Sequence, residues 1–149
     1  MINNPFSKVV KNSLERVDNV AKAGSDLENY LVKASEALND ALSGTYKIFL
    51  TSRKDKATAG VSGLIDFFEN AQGVDRNTDK NIYICNPLRG EIIAKWKINK
   101  EATEMTITLG KIVNIYPVND DGYISAISDI LDYGDIMTKA VNLKKNMSE

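Results

Sequence analysis

The chain contains no histidine and a single cysteine, Cys85, in 149 residues. Without histidine it lacks the side chain that most often moves protons near neutral pH, so Ser-His-Asp and Cys-His constellations and histidine-bearing zinc sites are excluded. One cysteine allows no intramolecular disulfide and agrees with a reducing compartment. Long apolar runs are missing too: none approaches the roughly 18 residues needed to cross a bilayer. The first residues, Met1 to Lys8, lack the charged-then-apolar build of a secretory signal. A soluble, cytoplasmic protein is expected, or one of the host cytoplasm or virion if phage-encoded, with no membrane partner. Strong charge of either sign is also absent, since 19 basic and 20 acidic side chains leave a net charge of -1. No global attraction to nucleic acid, membrane or polyanion follows.

These absences move the expectation from catalysis to binding or structure, with no cofactor, no metal and no small-molecule substrate. Chemistry based on carboxylates, lysines or backbone amides alone stays open. Lys, Ile and Asn are over-represented, a bias that fits an AT-rich genome, bacterial or phage. The length suits one domain with a substantial core.

What is present begins with helical periodicity. Asn4 and Pro5 make a helix start, because Asn caps free amides and Pro loses no hydrogen bond in the first turn. Val10, Leu14, Val17 and Ala21 then recur at spacings of four, three and four. Ser25, Asp26, Leu27 and Glu28 read as a capping box that opens a second helix from Asp26 to Ser43. Its stripe is Leu27, Leu31, Ala34, Leu38 and Ala41, with Gly44 as the stop. One long helix bent near Gly24 is the alternative. Residues 1–44 are read as a helical arm or helical hairpin and 45–149 as an α+β core domain.

From Thr45 the period changes to two. Tyr46 to Thr51 reads as a strand apolar on both faces and interior to a sheet. A third helix bearing Val61, Leu64, Ile65 and Phe68 is expected next, ending at Gly73 and acting as a crossover to a strand at Ile82 to Cys85. Asn86 to Gly90 reads as a hairpin loop. The following strand places Ile92, Ala94, Trp96 and Ile98 on one face and Glu91, Ile93, Lys95 and Lys97 on the other. Met105, Ile107 and Leu109 alternate, Gly110 marks a bulge or bend, and Ile112 to Tyr116 follows. In the last helical region Ile124, Ile127 and Leu131 share a face and Gly134 breaks the run. Met137, Ala140 and Val141 then continue it. The class is α+β: a helical N-terminal region, then a mostly antiparallel four- to five-stranded sheet covered by helices.

Four constellations bear on chemistry. Lys54 to Gly63 sits where phosphate loops sit, but carries neither glycine signature and reads as a small-residue helix start. Asp75, Asn77 and Asp79 open like a calcium loop, which fails because Lys80 and Asn86 stand where glycine and glutamate are needed. Asp129, Asp132 and Asp135 are spaced for a solvated helical face. Arg89, Lys95, Lys97 and Lys111, with Tyr83 nearby, offer an alternative function as a nucleic-acid-binding sheet face.

The N-terminal stripes carry the leading expectation: an interaction or assembly protein, oligomeric and non-catalytic, such as a phage structural component or an inhibitor of a host protein. Its partner-binding residues would be Val10, Leu14, Val17, Leu27, Leu31 and Leu38, meeting a protein partner or a second copy.

Overall fold

The structure, a computed structural model, describes residues 4–53 and 78–145. Helix α1 spans Ser7–Ala41. Among the described residues five strands follow: β1 (Phe49–Thr51), β2 (Asp79–Cys85), β3 (Gly90–Ile98), β4 (Glu104–Leu109) and β5 (Ile112–Pro117). Two helices, α2 (Asp120–Asp132) and α3 (Ile136–Lys144), close the chain. The sheet runs β1-β2-β3-β4-β5 with every neighbouring pair antiparallel, so the fold is α+β as the pattern predicts.

The N-terminal region is one helix and the capping box does not start a second. Val10, Val17, Gly24, Leu31 and Leu38 share one heptad position, so an unbroken stripe passes through Gly24. Gly24 stays helical and buried because Lys80 lies over it: a Cβ there would stand 2.9 Å from Lys80 Nζ. Glu28, the supposed capping partner of Ser25, points elsewhere. It accepts hydrogen bonds from Thr51 Oγ1 (2.7 Å) and from the Ser52 backbone N–H (2.8 Å).

β1 is shorter than expected and, among the described strands, lies at the sheet edge and not in its interior. It pairs antiparallel with β2, which excludes the parallel crossover geometry read from the sequence. The proposed third helix and the Lys54 to Gly63 loop lie outside the described residues, as do Asp75 and Asn77. Helix α1 holds β1 in place from its outer side. Ser35 Oγ accepts the Leu50 N–H at 2.8 Å, while Asn39 accepts the Ile48 N–H at 3.0 Å and donates to the Ile48 carbonyl at 2.6 Å. Glu28, Ser35 and Asn39 climb one face of α1 as Ser52, Leu50 and Ile48 descend the strand, so helical and extended periods match at three points.

In β3 the register shifts: Ile82 pairs with Ala94 and Tyr83 with Ile92, leaving Ile93 as the extra residue of a bulge. The bulge reverses the expected facing of Ile92 and Ile93. Ile93 is buried in the core and Ile92 is 53% exposed, while Trp96 and Ile98 point inward as the alternation requires. Gly110, with φ of +61°, and Lys111 form the two-residue turn that joins β4 to β5.

The core lies between one sheet face and the helices. Leu27, Leu31 and Leu38 from α1 meet Ile82, Ile84, Trp96, Met105 and Ile107 from the sheet and Tyr123, Ile130 and Leu143 from α2 and α3. On α2 the buried face is Tyr123, Ala126, Ile127 and Ile130, one step round from the expected one, and Ile124 faces outward. On α3 Ile136, Ala140 and Leu143 face inward and Met137 outward. On α2 the inward turn follows Tyr123, whose ring stacks on Tyr30 at 5.3 Å and whose hydroxyl donates to the Ala23 carbonyl.

Candidate interaction surfaces

The stripe on α1 divides at Val20. From Val20 to Leu38 it is covered by the sheet and α2, with Leu27, Leu31 and Leu38 almost wholly buried. Those three residues, read from sequence as partner contacts, therefore hold the fold together and have no area left to offer a partner. The turns before Val20 are exposed on all sides apart from the half-exposed Ser13. Val10 is 54% exposed, Leu14 60% and Val17 37%, and Phe6 and Val9 beside them are also exposed. The helix thus runs on about 20 Å beyond its packed half, at 1.5 Å per residue. It carries the same apolar heptad frame into solvent. Its charges are Lys8 and Lys11 near the tip and Glu15, Arg16 and Asp18 toward the base.

The opposite sheet face is polar at its centre. Lys95 and Lys97 are exposed there and, with Asp79, Asn81, Thr106 and Thr108, line a shallow depression of about 400 Å³. Asp79 pairs directly with Lys97 across the strands. Arg89 and Lys111 do not join this cluster: they occupy the β2–β3 and β4–β5 turns. Tyr83, the aromatic that would stack bases, is buried with Cys85 and packed against Phe49. Two of the four proposed basic residues thus share one face, without an exposed ring between them.

At the end of this sheet β5 adds a second apolar patch that strand alternation did not flag. Ile112 is 48% exposed, Val113 59% and Ile115 65%. The sequence signal was present: a six-residue strand with no charged side chain, bounded by Lys111 and Asp120.

The acidic residues of α2 serve the fold in part. Asp120 accepts a hydrogen bond from the Tyr30 hydroxyl at 2.6 Å, which together with desolvation raises the Tyr30 pKa to about 12. Asp129 accepts one from Tyr116, and burial first, then this bond, pushes that phenol upward. Burial raises Tyr123 further still. Asp120 and Asp121 also occupy the first turn of α2, where the helix dipole favours them, and Asn119 caps the Gly122 N–H at 2.7 Å.

Among the described residues no group of His, Cys, Asp and Glu is arranged to hold a metal, and no helix is long and apolar enough to cross a membrane. Comparison with protein-family models, with curated proteins and with solved structures finds no match.

Proposed function

We propose that this chain is a non-catalytic assembly protein that associates with a second copy of itself through the projecting half of α1. The observation that carries this reading is the division of one apolar stripe. The same heptad frame that buries Leu27 and Leu31 leaves Val10, Leu14 and Val17 in water. Exposed apolar stripes at a three-four spacing bury themselves against another helix. An identical arm is a suitable partner because four of the five arm charges are complementary when two arms run antiparallel, Arg16 being the exception. Lys8 and Lys11 of one then lie beside Glu15 and Asp18 of the other, and a two-fold axis satisfies both ends at once.

Light scattering at tens of micromolar tests the reading. The native chain should show a mass that rises with concentration, and Val10→Lys with Val17→Lys should lower that mass at every concentration while the chain still melts cooperatively, since both positions are solvated in the fold. A native chain that stays monomeric, or a doubly substituted chain that associates as strongly as the native one, overturns it.

A further inference from the structure

The two edges of the sheet are finished differently. At β1 the outward backbone groups of Ile48, Leu50 and Ser52 are taken up by Asn39, Ser35 and Glu28 of α1. β5 pairs with β4 on one side, and no described side chain bonds to its other side. Edges left open in this way are normally guarded by lysines, bulges or a short strand. β5 has six residues in regular register with β4 and, between Ile112 and Tyr116, no charge and no proline.

The turn fixes which groups are free. Leu109 and Ile112 flank a two-residue turn and so exchange both hydrogen bonds. Alternation then turns the N–H and C=O groups of Ile112, Asn114 and Tyr116 toward β4 and those of Val113 and Ile115 away. Pro117, which has no N–H to give, falls in the outward set, as an edge proline should.

We propose that β5 pairs antiparallel with β5 of a second copy about a two-fold axis at Asn114, joining two five-stranded sheets into one. In this register Val113 exchanges both backbone hydrogen bonds with Ile115 of the second copy, and Ile115 with its Val113, so all the free groups between Ile112 and Tyr116 are satisfied. Val113 and Ile115 also face each other as apolar cross-strand pairs. Charge selects the antiparallel direction. It brings Lys111, at the basic end of one strand, beside the turn of the other that leads into Asp120 and Asp121, whereas parallel pairing would set Lys111 against Lys111. This contact uses a different element from the α1 arm and stands or falls separately.

Cross-linking tests it. Asn114 would face its own copy at a non-hydrogen-bonded position, where Cα atoms stand about 4.5 Å apart, within disulfide range. The native thiol, Cys85, is buried and does not compete. Under mild oxidation, read on a denaturing gel, Asn114→Cys should run as a disulfide-linked dimer, while Ser125→Cys, exposed on α2, should run as the single chain. Adding Val113→Lys and Ile115→Lys, both solvated in the single chain, should abolish the dimer by setting lysines against one another. Adding Val10→Lys and Val17→Lys instead should leave it, which separates this contact from the arm. No cross-link in Asn114→Cys, equal cross-linking in Ser125→Cys, or a dimer that survives the β5 lysines overturns the proposal.

Discussion

Ser35 and Asn39 sit in the last two turns of α1, where polar side chains ordinarily face water, yet Ser35 bonds the backbone of β1 and Asn39 that of Ile48 just before it. Nothing in helical periodicity distinguishes them from solvated residues, because their role depends on a strand that passes their face. Trp96 was legible: alternation put it inward, and it is 1% exposed with its indole N–H against Met105 Sδ at 3.3 Å. Trp96→Ala should therefore cost about 3–5 kcal/mol in chemical denaturation. Tyr30 gives a pH signature. Its pKa is raised to about 12 by the hydrogen bond to Asp120, against about 10 in an unfolded chain. The folded state then holds the proton more tightly, so this contribution to stability is complete below about pH 10 and is lost as pH rises toward 12. Melting temperatures measured across that window should fall less steeply in Tyr30→Phe than in the native chain. Identical slopes would mean the bond to Asp120 is not maintained in solution.

At the scale of elements, strand positions, the hairpin at Asn86 to Gly90 and the antiparallel class were readable from alternation and turn residues. Two errors had local causes. The capping box at Ser25 is a real signal for a helix start, but burial of Leu27 and Leu31 along one unbroken stripe outweighs it, and the continuing helix supplies its own amide acceptors. The facing of Ile92 and Ile93 fails because a period of two does not reveal the bulge, which appears only in the pairing with β2. The burial along α1 also sets where the helix can be cut. A chain beginning at Val20 keeps every core side chain of α1 and should melt cooperatively near the native temperature. One beginning at Gly44 loses Leu27, Leu31 and Leu38 together with the groups that hold β1, and should fail to fold. Circular dichroism melts of both truncations check this, and a cooperative transition in the shorter chain would contradict it.

At the scale of the molecule, the segment from Ile115 to Met137 holds five aspartates and no basic residue, while the exposed lysines 95 and 97 occupy the opposite side of the sheet. Head-to-tail docking of one copy's acidic helix on another's basic face is therefore geometrically open. Its drive is reduced within each copy, because Asp120 and Asp129 already accept hydrogen bonds from Tyr30 and Tyr116. On the proposed reading, apolar contacts carry association instead. A subunit with two separate two-fold contacts, one at the α1 arm and one at β5, either closes into a dihedral tetramer or extends as a filament. Whether association is apolar or electrostatic can be read directly from salt. Exposed charges are screened over roughly 8 Å at physiological ionic strength and over about 3 Å at 1 M. Burial of the arm stripe is not weakened by such screening. Sedimentation velocity of the native chain at tens of micromolar, in low and in high salt, is the most direct measurement. The account predicts a species larger than the monomer that persists in high salt. A monomer under both conditions would contradict it.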